Sequence, residues 1–417
     1  MSPPRPPHPN PLPEGEGARP ALAKRLARVP VAATVAMTTK ARAMRDAGTP
    51  VISLTIGEPD FDSPRHAIEA GYQAALAGDT KYPPQDGQPA LKQAIQRKFR
   101  RDSGLDFALD EITVGNGGKG VIFNALMATM DEGDEVVIPA PYWGAYPLMT
   151  RVVGGEPVVV NCPQNNGFKL RPEDLDAAIT PRTKWLILNY PNNPTGAAAS
   201  ADDLAALGEV MLRHPHVWIM SDDMYEHLVF DAAHVTMAAV VPALRDRVLT
   251  VTGVSKTYAM TGWRIGFAAG SRHLVKAMVN MQGQVAAGVS TVGQAAAAAA
   301  LDGPQDAVPV MAAAYRRRRD LVVDALNTAP GILCHRPEGA FYVYPNIAGC
   351  LGKTTPGGAV LHTDEDFALA LLGEQHVALV HGAAFGMSPY VRISYATDDA
   401  SLTEACRRIV AFCTSLR

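Results

Sequence analysis

Between residues 112 and 252 the chain alternates short apolar runs with longer stretches of helical spacing. Ile112–Val114, Glu135–Pro139, Val158–Val160, Trp185–Leu188, Val217–Met220 and Val248–Thr252 read as strands. Many of these carry no charge at either set of alternate positions, the pattern of strands covered on both faces. Val121–Met130 and Ala201–Arg213 show helical spacing, and the alanine-rich Ala295–Leu301 reads as a packed helix. Alternating β and α units predict a mainly parallel sheet and an α/β fold. The C-terminal part differs. Ala340–Tyr344 and Val391–Tyr395 alternate in polarity, and a final amphipathic helix runs from about Ser401 to Phe412, so a second, smaller α+β lobe is expected. There is no internal repeat. Residues 1–20 hold eight prolines and almost no large apolar side chain, so they are expected to be a disordered tail, with the globular part starting at Ala21.

Composition narrows the class. A chain of 417 residues, 47% apolar and 19% charged, is long enough for an enzyme subunit of two lobes. Its 38 basic and 41 acidic side chains leave a net charge of −3, with none of the basic excess of a nucleic-acid-coating protein. The one dense basic cluster, Arg316–Arg319, is expected to be a solvated helix face. Cys162, Cys334, Cys350, Cys406 and Cys413 form no CxxC pair and no framework, which points to buried thiols in a reducing compartment. No run has the length of a membrane span, and no signal peptide plan opens the chain. A cytoplasmic enzyme without membrane attachment is expected.

Five motifs could carry chemistry. Gly115, Gly117 and Gly120 spell G-x-G-x-x-G between a strand and a helix, a possible phosphate cradle. The next strand lacks the terminal acidic residue of a dinucleotide site. Asn189–Gly196 (NYPNNPTG) follows a strand at the end where α/β sheets bind ligands. In SDDMYE, Asp222 and Tyr225 also sit at a strand's carboxyl end, where a carboxylate needs a cationic partner. No further ligand shares metal-like spacing with Asp222 and Asp223, so no metal is expected. In GVSKTYAMTGWRIGF, Lys256 follows another strand end, where partial desolvation lowers an amine pKa and permits Schiff-base chemistry; Arg264 follows eight residues later, suited to gripping phosphate. In YVRISYAT, Arg392 alternates with Val391 and Ile393 and fits either carboxylate recognition or a structural ion pair.

Together and in this order, LTIGEPDFD, TKYPP, PNNPTG, SDDMYEHL, SKTYAMTGWRIG and RISYAT resemble the class I, fold type I, pyridoxal-phosphate-dependent aminotransferases, over nearly the whole chain from Ala21. GGKGVIFNALMATMDEGDEVVIPAPYW is similar to their bacterial aspartate and aspartate/prephenate branch. The resemblance implies a large domain (63–319) around a mainly parallel seven-stranded sheet and a small α+β domain (21–62 with 320–417). It implies pyridoxal 5′-phosphate held covalently by Lys256, with Asp222 paired to the pyridine nitrogen. Tyr225 and Asn193 would donate to the ring oxygen, and Trp143 would stack on the ring. The backbone of Gly118 and Lys119, with Arg264 and Ser255, would grip the phosphate. Tyr82 would reach the phosphate of a partner subunit, so a homodimer with shared sites is implied. Arg392, beside Gly57, Trp143 and Asn193, would clamp the substrate α-carboxylate. Lys119 matches a lysine that recognises the distal carboxylate in this branch. The implied reaction moves an amino group between an amino acid, aspartate first, and 2-oxoglutarate in a ping-pong cycle.

Three positions depart from the family pattern. Gly253 stands where many relatives carry a phosphate-binding serine or threonine. Tyr146 replaces a histidine that supports the ring-pairing aspartate. Gly283–Thr291 holds no arginine where some branches bind an acidic side chain. Alternatives on the same scaffold are aromatic, prephenate or neutral amino-acid transamination and pyridoxal-phosphate lyase chemistry. A cofactor-binding regulator is disfavoured by the lack of an added module, and a nicotinamide enzyme by the missing acidic residue.

Overall fold

The computed structural model describes residues 21–417, so the expected tail at 1–20 lies outside the described residues. The strands are β1 (Ile52–Ser53), β2 (Ile112–Asn116), β3 (Glu135–Ala140), β4 (Glu156–Asn161), β5 (Thr183–Asn189), β6 (Trp218–Asp222), β7 (Val248–Gly253), β8 (Ile265–Ala269), β9 (Tyr342–Val343), β10 (Val377–Ala378), β11 (Val380–His381) and β12 (Val391–Ser394). Seven of them form one sheet in the order β2-β8-β7-β6-β5-β3-β4. Only β8 runs against the others, antiparallel to both β2 and β7. The fold is α/β, as the alternation of strands and helices predicts.

Alternate residues of β3, β5, β6, β7 and β8 enter different cores. Val137, Leu186, Leu188, Ile219 and Phe267 pack beneath the helices Pro89–Ser103, Ala201–Arg213 and Thr291–Asp302. Val136, Ile138, Trp185, Ile187, Met220 and Ala268 pack beneath Gly117–Thr129, Ala145–Val152 and Arg272–Val285. Two-sided burial is the reason these strands read as unbroken apolar runs rather than alternating ones. Each large aliphatic side chain so placed contributes about 1.5–3 kcal/mol of transfer free energy.

A second core gathers Met37 and Ala41, Val51 and Leu54, and the C-terminal elements around Phe341, Val377, Ile393 and Phe412. Tyr225 and Leu228 also enter it, so the segment after β6 is gripped from both sides. The parallel pair β1–β10 and the sheet β11-β12-β9 organise this part. The alternation at Ala340–Tyr344 and Val391–Tyr395 does not mark a wet face, because every residue in both runs is buried.

The arginine run is a correction. On the helix Ala307–Leu326, Arg316 and Arg317 are exposed, whereas Arg318 and Arg319 are buried. Arg318 pairs with Asp60 and Asp399, and Arg319 with Asp231 and Asp320. Four consecutive residues cover more than a full helical turn, so they cannot share one solvated face. Among the described residues no helix is long and apolar enough to cross a membrane, and all five cysteines are buried and unbridged.

Candidate active site

The carboxyl ends of β2, β5, β6 and β7 converge, and β8 begins beside them. In an open α/β sheet this edge is where ligands bind. Here β2 turns directly into the helix Gly117–Thr129, which starts earlier than the spacing Val121–Met130 indicates and places Gly117 and Gly118 in its first turn. Gly117 has φ +73°, and a Cβ there would collide with the Arg264 guanidinium. A Cβ on Gly266 would strike the Gly118 backbone nitrogen. The glycines therefore allow β8 to press against a helix N-terminus whose N–H groups are free to meet an anion.

Arg264 completes that cradle. It is held in the left-handed region at φ +58°, which costs a non-glycine residue on the order of 1 kcal/mol. Its Nη1 donates to Thr261 O at 2.9 Å, and the side chain stays exposed. Lys119 places its ammonium 5.0 Å from the centroid of the Trp143 ring. Burial, and then Arg264, hold the Lys119 amine below its ordinary range. Ser255 is buried on the short helix Val254–Thr257. At Gly253 a Cβ would meet Ile265 O at 2.9 Å, so the missing serine or threonine reflects a β7–β8 approach too close for a side chain.

Asp222 ends β6 and is fully enclosed. Tyr146 Oη donates to its Oδ2 at 2.5 Å, and the Met224 N–H donates to Oδ1 at 3.2 Å. Burial pushes its carboxyl up to about 6, against the pull of these two donors. Tyr146 is thus a neutral donor to Asp222, and burial and Asp222 drive its own pKa far up. Asn189 Nδ2 donates to Asp222 O, and Asn189 Oδ1 accepts from the Asn193 N–H, each at 2.9 Å. Tyr225 Oη lies 2.9 Å from Tyr342 Oη.

Lys256 Nζ donates to Gly57 O. Burial lowers its amine to about 8; Glu58 opposes this, and Arg392 and Arg264 add to it. Gly57 has to be glycine because a Cβ would run into Tyr342 Oη. Arg392 is buried between the rings of Tyr342 and Phe385, both centroids 4.8 Å away. Its Nη1 donates to Asn193 Oδ1 at 3.0 Å and its Nη2 to Thr55 O at 2.5 Å. Its Nε is buried without a protein partner. That orphaned donor on a desolvated cation fits an anionic ligand better than the structural ion pair. Tyr82 is 92% exposed.

Sequence reasoning did not single out Tyr342, Thr55, Glu58 or Phe385. Tyr342 touches three site elements, yet its run FYVYP offers only strand-like alternation as a signal. Thr55 and Glu58 lie within LTIGEPDFD, where Glu58 accepts from Thr261 Oγ1 at 3.0 Å.

The donor set fits pyridoxal phosphate. The glycine cradle and Arg264 suit a phosphate, the buried Asp222 suits a cationic ring nitrogen, Trp143 offers an aromatic face, and Lys256 is an amine of lowered basicity.

A family model described as aminotransferase class I and II matches residues 49–409. An aspartate/prephenate aminotransferase of Cereibacter sphaeroides is 56% identical over 396 residues, 95% of this chain and 99% of that protein. The crystal structure of the aspartate aminotransferase from Rhizobium meliloti superposes with a TM-score of 0.93 at 51% identity, covering 95% of this chain and 100% of the other. The Thermus thermophilus aspartate aminotransferase with maleate superposes at 0.88 with 39% identity, covering 94% and 100%.

Proposed function

Because the chain belongs to the class I and II aminotransferases, we propose that it is a pyridoxal-phosphate-dependent aspartate aminotransferase with 2-oxoglutarate as acceptor. The observation carrying this reading is the pairing of a half-buried, weakly basic Lys256 with a buried, weakly acidic Asp222 beside a glycine and arginine anion cradle.

Bound there, pyridoxal phosphate supplies a ring that delocalises the electron pair left at an amino acid's Cα. The Gly118 and Lys119 N–H groups, Ser255 and Arg264 hold the phosphate. Asp222 keeps a proton on the ring nitrogen, with Tyr146 fixing the carboxylate. Tyr225 Oη and Asn193 Nδ2 donate to the ring oxygen, and Trp143 covers one ring face. Arg392 receives the substrate α-carboxylate, where its Nε gains a partner. Lys256 Nζ would take the proton from Cα and return it to the cofactor carbon on the far side of the substrate nitrogen, a role for which an amine lowered to about 8 is poised. Two half-reactions with one amino acid and one 2-oxo acid follow in turn.

The aspartate assignment rests on Lys119, whose ammonium stands over the Trp143 ring. It is supported by a relative named for aspartate and a relative whose structure holds maleate, a dicarboxylate. A panel of amino donors and 2-oxo acceptors, including prephenate, tests it. Lys119→Ala is expected to lower kcat/KM for aspartate by about 10–100-fold while sparing alanine, the range for one lost hydrogen bond to a charged group. Equal losses for both donors would remove Lys119 from recognition.

A homodimer is part of the proposal. Ile68, Tyr72 and Leu76 project from one face of the helix Arg65–Leu76 and are exposed, as is Tyr82. A second copy would cover this apolar stripe and receive Tyr82 at its own phosphate. Five buried thiols suit a cytoplasmic location.

A further inference from the structure

Just past the carboxyl ends of β6 and β7 lies a buried charged cluster that the reaction does not use. Glu226 is 7% exposed. Its Oε2 accepts from Lys98 Nζ, and its Oε1 accepts from Thr252 Oγ1 at 2.8 Å. Lys98 comes from the helix Pro89–Ser103 and is 2% exposed, with its ammonium also 3.6 Å from Asp102. Asp102, Glu226 and His227 bring ligand-type atoms within 4.8 Å of one another, but the Lys98 ammonium already supplies the cation there. Burial would push the Glu226 carboxyl up; Lys98, His227 and His234 outweigh it and hold the group ionised.

The position of this carboxylate in the fold is what matters. Glu226 follows Tyr225 and lies four residues after Asp222. Thr252 lies in β7, next to Gly253 and four residues before Lys256. Ladder contacts join β6 and β7 as far as Asp222 and Val251. Beyond that point the Asp223 N–H donates to Val251 O at 2.8 Å, and the Thr252 hydroxyl lies 3.4 Å from Asp223 O and 2.8 Å from Glu226 Oε1, the Glu226 contact being the shorter. The two strand ends bearing the ring-pairing carboxylate and the reactive amine are thus joined by a side-chain bond where the ladder gives out.

Building on the assignment of Asp222 and Lys256 to the cofactor, we infer that Glu226 is a positioning residue, which through the Thr252 hydroxyl locks the segment carrying Asp222 and Tyr225 to the strand leading to Lys256. Lys98 keeps the carboxylate charged and aimed. A buried, fully bonded carboxylate is a stiff link because any displacement leaves an ion without a partner.

The test uses enzyme loaded with pyridoxal phosphate. Thr252→Val keeps the shape and removes the hydroxyl; Thr252→Ser keeps the hydroxyl. The valine variant is expected to lose about tenfold in kcat, to hold KM for aspartate within about twofold, and to move the pH midpoint of the cofactor's visible absorbance. The serine variant is expected to restore all three. Glu226→Asp, which withdraws the carboxylate from Thr252 but keeps its charge, is expected to reproduce the valine spectrum. Unchanged spectra and kcat in both Thr252→Val and Glu226→Asp, with only a lower melting temperature, would make the contact merely structural and overturn the inference. If the parent protein itself shows no visible band, the cofactor assignment falls and takes this inference with it, an outcome distinct from normal bands in parent and variants alike.

Discussion

At the scale of single residues, the site holds an acid and a base whose environments draw them toward neutrality from opposite sides. The Asp222 carboxyl is raised to about 6 and the Lys256 amine lowered to about 8. Both shifts cost stability in the cofactor-free protein, over different pH windows. Asp222 binds its proton more tightly folded than unfolded, so its contribution is present below the unfolded value near 3.8 and is lost as pH rises through 6. Lys256 binds its proton less tightly folded, so its penalty is full below about 8 and fades as pH rises toward 10.5. Cofactor-free Asp222→Asn is therefore expected to be more stable than the parent at pH 8, by about 3 kcal/mol, and to lose most of that margin at pH 4. Denaturant titration at the two values checks this. Tyr146→Phe removes a donor that lowers the Asp222 carboxyl, so in cofactor-free protein the carboxyl titration, followed by NMR, should move upward from about 6. Lys256 and Asp222 stood out in the sequence because each lies in a compact motif at a strand end, and Arg392 because it is a charge inside the apolar run of β12. Tyr342 was not, because its contacts with Tyr225, Gly57 and Arg392 join distant parts of the chain.

At the scale of elements, two-sided burial made most sheet strands readable, since it removes charge from both alternate sets. The reversed strand β8 was the exception. Its residues, IGFAA, sit among glycines and small side chains and directly after the Arg264 loop, so composition marked the motif and not the strand. Those same small residues build the cradle. Gly266→Ala places a methyl against the Gly118 backbone nitrogen. It is expected to weaken pyridoxal phosphate binding at least about tenfold while the separate core around Phe341 and Phe412 stays folded; fluorescence titration against a melting curve separates the two. The Arg316–Arg319 run shows the opposite error. Charge counted along the sequence indicates a wet face, but helical geometry turns half the run inward onto Asp60, Asp231 and Asp399.

At the scale of the whole molecule, the near-neutral net charge conceals a local concentration of cations. Lys119, the Lys256–Arg264 motif and Arg392 come from three separate stretches of sequence and bring four cations to one site. The exposed stripe of Ile68, Tyr72 and Leu76 carries the expectation of a dimer. Tyr72→Glu is expected to shift the sedimentation profile toward monomer and to cut activity with it, since the proposed site borrows Tyr82 from the other subunit. The most direct test of transamination itself is a half-reaction. Pyridoxal-phosphate-loaded enzyme mixed with excess aspartate and no 2-oxo acid should release one oxaloacetate per site and stop, resuming only when 2-oxoglutarate is added. Continuous release of ammonia without an acceptor, or no oxaloacetate at all, would contradict the account.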